Sequence, residues 1–281
     1  MLKLGIIGYP LSHSLSPIMH MSALKELGIK GNYEILETPP ENLLERVKEL
    51  KTSGYNGFNV TIPLKVYITP LLVSVDDAAN VVGAVNTVYI DERKDMHGYN
   101  TDVYGFVHGI PEELRSSLKN KKAAVIGAGG AARAVVAGLA GLGMDSIDIY
   151  ARDEKKALKI KEVLTDNFKE IKVKILSYNE NCDLSQSSIV VNTTPIGMFG
   201  EYENLSPISN MAIDSIPSHG LVYDLIYRPR ETKLLKQANK RGLATVDGSE
   251  MLVLQGAKAL TIWTGKKAPI EIMRTTLLKN L

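Results

Sequence analysis

Three observations predict an α/β fold, with a doubly wound sheet in the second part of the chain. Short apolar strand candidates alternate with segments of helical periodicity along the whole sequence. The composition shifts to a charged stretch between about residues 100 and 121, which separates two parts. The run Lys122 to Gly143, KAAVIGAGGAARAVVAGLAGLG, is an apolar strand that stops at Gly127-Ala128-Gly129-Gly130 and resumes as an alanine-rich helix.

Taken in order, Leu4 to Ile7 is a first strand, followed by a turn-rich loop from Gly8 to Pro17 and a helix from about Ile18 to Leu27. Asn32 to Leu36 is a second strand. Glu41 to Lys51, with Leu43, Leu44, Val47 and Leu50 at helical spacing, is an amphipathic helix. Gly57 to Pro63 is a strand closed by a proline that has no N–H for a ladder. Ala84 to Tyr89 is a strand expected to pair with Met96 to Tyr99 through the polar turn Asp91 to Lys94. The alternation predicts a largely parallel sheet. A helix begins near Asp102. The second part continues as strand (Ala123–Ile126), helix, strand (Ser146–Tyr150), helix (Lys155–Asn167), then strands at Lys172–Leu176, Ile189–Asn192 and Leu221–Asp224. Gly248 opens a helix through Trp263, and Pro269 opens the terminal one.

With 281 residues the chain can bury two medium cores. Its 44% hydrophobic and 23% charged residues are those of a soluble globular protein. A net charge of +2 without any long Lys/Arg run argues against a nucleic-acid partner. The single cysteine, Cys182, excludes an internal disulfide and a cysteine-cluster metal site. The start reads as a strand meeting Pro10, not as a signal peptide, and no apolar run approaches membrane-spanning length. A cytoplasmic protein with no membrane partner is expected.

The glycine turn is the strongest local signal of chemistry. Glycines let the chain turn tightly and let a pyrophosphate approach the amides, while the following helix offers unpaired N–H groups and its positive end. Gly127, Gly129 and Ala132 fit G-x-G-x-x-A, a variant of the dinucleotide fingerprint in the required strand–turn–helix context. Other candidates carry bland alternatives. Ser12-His13-Ser14-Leu15-Ser16-Pro17 places hydroxyls in one loop that suit a carboxylate, yet Ser16 before Pro17 is also a standard helix N-cap, and His13 reads as structural or solvated. Lys65, just past a strand end, would by itself be a solvated charge. Asp102 is placed to cap the helix that follows it. Asn86, inside an apolar strand, must find partners if buried.

Together these segments resemble the shikimate dehydrogenase family, and the resemblance runs essentially end to end. It is carried by Ser14-Leu15-Ser16-Pro17, Asn59-Val60-Thr61-Ile62-Pro63-Leu64-Lys65, Gly83-Ala84-Val85-Asn86-Thr87, Gly98-Tyr99-Asn100-Thr101-Asp102-Val103-Tyr104-Gly105 and the Gly127 turn. Farther on come Asn192-Thr193-Thr194-Pro195-Ile196-Gly197-Met198, Tyr223-Asp224-Leu225-Ile226-Tyr227-Arg228-Pro229, and Asp247-Gly248-Ser249-Glu250-Met251-Leu252-Val253-Leu254-Gln255. The resemblance implies reversible reduction of 3-dehydroshikimate to shikimate with NADPH, in the route to chorismate and the aromatic amino acids. It also implies two domains with the active site in the cleft between them. Residues 1–102 with 240–281 would form the substrate domain, to which the C-terminal helices return, and 103–239 the Rossmann-type NADP domain. Lys65 and Asp102 would be the catalytic pair. Ser14, Ser16 and the Tyr227 hydroxyl would hold the substrate carboxylate; Thr61, Asn86, Asp102 and Gln255 would hold the ring hydroxyls. Gly127, Ala128, Gly129, Gly130 and Ala131 would take the pyrophosphate, with Thr193 beside them. Leu225, Gly248 and Asp77 would lie by the nicotinamide end.

This assignment agrees with elementary chemistry. Neutral donors bind a carboxylate without burying a competing charge. The nascent alkoxide needs a proton, which Lys65 donates as an ammonium and accepts as an amine in reverse. No metal is required, and a monomer or homodimer is expected. Family members that prefer NADP usually read Asn-Arg-Thr plus a further basic residue after the second strand of the nucleotide domain; this chain reads Ala151-Arg152-Asp153-Glu154-Lys155-Lys156. Arg152 and Lys156 keep the charges for a 2′-phosphate, Ala151 lacks the amide, and Asp153 is expected to cap the next helix and face away. NADP is therefore the expected cofactor. The nearest alternative is a quinate/shikimate dehydrogenase using NAD or NADP. A non-catalytic sensor of nucleotide and ring acid is the reading from another class, and retention of both Lys65 and Asp102 weighs against it.

Overall fold

The computed structural model describes residues 1–11 and 14–281, so the reading of His13 lies outside the described residues. The chain divides into two compact units, Met1–Gly105 with Val253–Asn280, and Phe106–Leu252 with Leu281.

The first unit begins with β1 (Leu2–Gly8), α1 (Ser16–Glu26), β2 (Gly31–Glu37), α2 (Leu43–Thr52) and β3 (Gly57–Val60). It continues with β4 (Ser74–Val75), α3 (Asp77–Val82), β5 (Thr87–Ile90), β6 (Met96–Tyr99) and the start of α4 (Thr101–Gly109). The strands form a six-stranded sheet in the order β2-β1-β3-β5-β6-β4. Strand β1 runs parallel to β2 and β3, but β5 is antiparallel to both β3 and β6. The sheet is thus mixed, with the antiparallel β5–β6 pair expected from the sequence beside the parallel pairs β1–β2, β1–β3 and β4–β6. A short turn suffices to reverse a strand, whereas a parallel return needs a crossover. Here the Asp91–Lys94 turn reverses it, with Asp91 Oδ1 accepting from the N–H groups of Arg93 and Asp95. Ile7, Phe58, Leu64, Ile68, Val85 and Val88 are buried in one core cluster with Leu43, Val47 and Leu50 of α2.

Two strand ends differ from expectation at places that matter for the site. The strand from Gly57 ends at Val60, and the chain turns with Leu64 N–H bonded to Thr61 O at 2.9 Å. Ala84, Val85 and Asn86 precede β5 instead of belonging to it. Val85 N–H bonds the Lys65 carbonyl at 2.8 Å, so the turn that carries Lys65 is tied to the segment that carries Asn86.

The second unit contains α5 (Glu112–Ser116), β7 (Lys122–Ile126), α6 (Gly130–Gly141), β8 (Ser146–Ala151), α7 (Glu154–Asn167) and β9 (Lys172–Ser177). It then runs through β10 (Ser187–Asn192), α8 (Asn210–Ser215), β11 (Leu221–Asp224), α9 (Lys233–Lys240) and β12 (Ala244–Val246). Its sheet, β12-β11-β10-β7-β8-β9, is parallel throughout. The order turns back between β7 and β10, which creates a switch point at their carboxyl ends where doubly wound sheets take ligands. Helices α10 (Ser249–Thr264) and α11 (Ile270–Leu278) complete the chain. Helix α11 packs on α1 in the first unit. Strands β4 and β12, two and three residues long, are too short for alternation to announce them.

Candidate active site

In the first unit the Lys65 ammonium lies 2.5 Å from Asp102 Oδ2, with the two side chains 17% and 10% exposed. Lys65 is carried on the turn after β3 and anchored by the fully buried Leu64. Asp102 stands in the first turn of α4. Its carboxylate does not cap that helix, contrary to the structural alternative. Asn100 does so instead, its Oδ1 accepting from the N–H groups of Asp102 at 3.1 Å and Val103 at 3.3 Å. Asp102 thereby faces Lys65 with one oxygen and Asn86 with the other.

Asn86 is buried and donates from Nδ2 to Asp102 Oδ1 at 2.8 Å, to Thr101 Oγ1 at 2.9 Å and, more distantly, to Gln255 Oε1 at 3.3 Å. Its Oδ1 accepts from the Thr101 backbone N–H at 2.7 Å. Four predicted residues, Lys65, Asn86, Asp102 and Gln255, therefore form one hydrogen-bonded cluster although Gln255 comes from α10. An ion pair flanked by neutral amides can bind a polar ring and move a proton at one of its oxygens.

The remaining first-unit candidates occupy neighbouring loops. Ser14 Oγ accepts from Ser16 N–H at 3.4 Å. Helix α1 starts at Ser16, its N-cap position is Leu15, and no side chain caps it, which corrects the N-cap reading of Ser16. The Tyr33 hydroxyl, which donates to Asn59 Oδ1 at 2.7 Å, is held well above its ordinary range by burial. Thr61 N–H bonds Ile7 O at the end of β1, and Gly8 packs so tightly on the Thr61 methyl that a Cβ there would collide with it. Asp77 is an exposed residue in the first turn of α3, which its neighbour Asp76 caps through Ala79 N–H at 2.8 Å.

The second unit gathers its candidates at the carboxyl ends of its strands. Gly127 leaves β7 at φ +109°, and a Cβ there would lie 2.6 Å from Thr193 Oγ1. Thr193 closes the same corner, with its backbone N–H and its hydroxyl both on Ile126 O, at 2.9 and 2.8 Å. Gly129 is the N-cap of α6, and a Cβ on Gly129 or Gly130 meets nothing within 4 Å. No protein packing demands glycine at those two positions. The open space beside the unpaired N–H groups of a helix start fits the approach of a pyrophosphate. Ala132 is buried in α6.

At the end of β8, Ala151 is buried and Arg152 exposed. Asp153 caps α7 through Lys156 N–H at 3.1 Å, as anticipated, and its other oxygen lies 3.6 Å from Lys156 Nζ. The backbone bond from Lys156 holds the Asp153 carboxyl below its ordinary range. After β11, Leu225 N–H bonds Asn192 O at 3.1 Å, and Gly248 N–H bonds Ile226 O at 3.0 Å. A Cβ on Gly248 would collide with Leu225 O, so that contact admits only glycine. Tyr227 follows in the same segment, with burial holding its hydroxyl above the usual range.

Several residues that build these sites received no role from the sequence. Asn192, fully buried, donates to Asp224 Oδ1 at 3.0 Å and Ile196 O at 3.1 Å. Asp224 also accepts from Ile226 N–H at 3.1 Å and Thr232 Oγ1 at 2.7 Å. These three side chains tie the loops after β10 and β11 to the start of α9. In the first unit Asn59, Thr87 and Thr101 bond Asn86, and Tyr33 bonds Asn59 behind it. The available signal was the one that marked Asn86: a polar residue among apolar neighbours in a strand, which must be paired if buried.

Comparisons with known proteins identify the family. The family model described as shikimate dehydrogenase substrate binding domain matches residues 6–88, and the one described as shikimate 5′-dehydrogenase C-terminal domain matches residues 248–278. A shikimate dehydrogenase (NADP(+)) of Synechocystis sp. is 39% identical over 99% of this chain and 95% of its own length. Shikimate 5-dehydrogenase of Thermus thermophilus, solved in complex with NADP(H) and shikimate, is 34% identical, with a TM-score of 0.85 over 100% of both chains. Quinate dehydrogenase of Corynebacterium glutamicum, solved in complex with NAD, is 30% identical, with a TM-score of 0.90 over 99% of both chains. With its motifs in order, its two sheets and relatives matched over nearly its whole length, this chain belongs to the shikimate dehydrogenase family.

Proposed function

We propose that this chain catalyses the reversible, NADPH-dependent reduction of 3-dehydroshikimate to shikimate, with Lys65 as the proton donor and Asp102 as its partner. The observation that carries the reading is the Lys65–Asp102 pair at 2.5 Å, joined through Asn86 to Gln255. When bound, the nicotinamide supplies the hydride. The residues of this chain bind, orient and move the proton. Asn86, Gln255 and Thr61 hold the ring hydroxyls, and Ser14, Ser16 and Tyr227 hold the carboxylate with neutral donors. Lys65 gives its proton to the oxygen on which charge develops and recovers it in the oxidative direction. Asp102 keeps the ammonium beside that oxygen.

Gly127 to Ala131 would hold the pyrophosphate, with Thr193, Leu225, Gly248 and Asp77 along the rest of the cofactor. Arg152 and Lys156 would hold the 2′-phosphate. The cap made by Asp153 supports the NADP assignment, because a carboxylate engaged with the helix start is not one reaching for a ribose 2′-hydroxyl. The substrate part would be 1–105 with the C-terminal helical segment from 253, and the nucleotide part 106–252, because β12, beyond the boundary expected at 240, pairs in the second sheet; a cytoplasmic monomer or homodimer is proposed.

The test is the loss of NADPH absorbance with 3-dehydroshikimate, repeated with NADH. Turnover with NADPH at a kcat/KM well above that for NADH is expected; a ratio near one or below overturns the cofactor assignment, and absence of turnover overturns the function. The likeness to a quinate dehydrogenase favours one second reading, a dual enzyme that also oxidises quinate. Quinate offered with NAD and with NADP in the same assay separates it.

A further inference from the structure

The buried polar groups around Asn86 form a chain whose direction is fixed by two backbone atoms. Asn86 O is a carbonyl and accepts only, so the Asn59 atom 3.1 Å from it is the amide nitrogen. Asn59 Oδ1 then faces Tyr33, and the Tyr33 hydroxyl must donate to it, at 2.7 Å. The Asn59 nitrogen also donates to Thr87 Oγ1 at 3.0 Å, and the single Thr87 hydrogen reaches Asn86 Oδ1 either directly, at 3.2 Å, or through the Thr101 hydroxyl, which lies 3.2 Å from both. At Asn86 the Thr101 backbone N–H, which donates only, identifies Oδ1. The opposite atom is therefore the nitrogen, which donates to Asp102 Oδ1 at 2.8 Å. One continuous run of donors, from Tyr33 through Asn59, Thr87 and Asn86, thus ends on the carboxylate that holds Lys65, with side branches to Asn86 O, Thr101 and Gln255.

Tyr33 itself is held rigidly. His20 stacks on its ring at 4.6 Å and 4°, and Trp263 closes the third side at 6.3 Å. His20, Tyr33, Asn59, Asn86 and Thr87 are all buried. Donors aligned in one sense polarise each other, and in a site without water each link strengthens the next.

We infer that Tyr33 is a positioning residue: through Asn59, Thr87 and Asn86 its hydroxyl orients and polarises the donor on Asp102. Tyr33 touches neither substrate nor cofactor in this scheme. The inference rests on the proposed roles of Lys65 and Asp102.

The test compares the wild type, Tyr33→Phe, Thr87→Val and the double variant. Phe keeps the ring between His20 and Trp263, and Val keeps the shape of Thr87, so either breaks the chain at a different link. Each single variant should lower kcat about three- to tenfold, the weight of one buried hydrogen bond, with the KM for NADPH unchanged. The double variant should be no worse than the poorer single, since links in series do not add. A readout independent of turnover is the Asn86 side-chain amide in 1H–15N NMR of the free protein, which should move upfield in both single variants. Additive losses, or an Asn86 resonance unmoved in folded Tyr33→Phe and Thr87→Val proteins, would overturn the inference. If the wild type fails to turn over 3-dehydroshikimate, the function has failed, and the amide resonances still decide whether the chain runs as described.

Discussion

Replacing Lys65 by Ala isolates the proton-transfer step. The ammonium sits 2.5 Å from Asp102 Oδ2 and is largely shielded, so water does not readily take its place. A positioned acid of this kind contributes about 10²- to 10⁴-fold to a rate. That corresponds to about 3–5 kcal/mol of transition-state stabilisation. The folded protein loses less. Asp102 keeps the Asn86 donor at 2.8 Å, and leaving a mostly buried carboxylate with one partner fewer costs about 1–3 kcal/mol. The variant should therefore fold, bind NADPH as the wild type does, and show a kcat lower by about 10²-fold or more, with a much smaller change in KM. Initial rates at saturating NADPH and nucleotide binding by fluorescence titration measure both quantities. If kcat stayed within a few-fold of the wild type while the KM for 3-dehydroshikimate rose, Lys65 would be a binding residue and the proton would come from elsewhere.

Three further outcomes follow from particular contacts. Gly129→Val introduces a side chain where nothing lies within 4 Å, at φ −83° and ψ −169°, which any residue adopts. The thermal midpoint should hold while the KM for NADPH rises about 10- to 100-fold through lost charge-assisted bonds; a falling midpoint with unchanged KM would contradict the pyrophosphate assignment. Arg152→Ala should raise the KM for NADPH and leave that for NADH alone, and an equal effect on both would remove Arg152 from the 2′-phosphate. Burial pushes the Asp224 carboxyl up to about 6, against hydrogen bonds from Thr232, Ile226 and Asn192 that pull it down. Because the folded value lies above the unfolded one, the folded state holds the extra proton between about pH 4 and 6, and this contribution to stability is lost as pH rises through 6. The loss amounts to about 3 kcal/mol for a shift of about two units. Asp224→Asn should therefore gain stability relative to the wild type between about pH 4.5 and 8, measured as thermal midpoints, and parallel curves would show that Asp224 does not change its protonation.

The parts legible in the sequence were those in which adjacent residues carry the cause. The turn from Gly127 to Gly130 is a local event: an apolar strand, residues that permit φ +109°, then alanines that favour a helix. The Asp153 cap was equally local, because Lys156 is three residues away. Where several partners competed for a group, adjacency misled. Asp102 was placed to cap α4, yet Asn100 takes that position and releases Asp102 to the cluster. Ser16 before Pro17 has the form of an N-cap, yet the cap position falls on Leu15 and no side chain fills it.

By itself the sequence determined the α/β class, the glycine turn and, through motifs spread over the chain, the family and its chemistry. Tertiary structure alone decided that Lys65 meets Asp102 across 37 residues and that Asn86 reaches Gln255 across 169. It also decided that β5 runs antiparallel to β3 and that β4 lies beside β6 at the edge of the first sheet. The physical reason is that a hydrogen bond is set by distance and direction, which periodicity and propensity do not specify between distant segments. A buried asparagine announces that it must be paired; only the packed strands and helices determine with what, and in which direction its protons point.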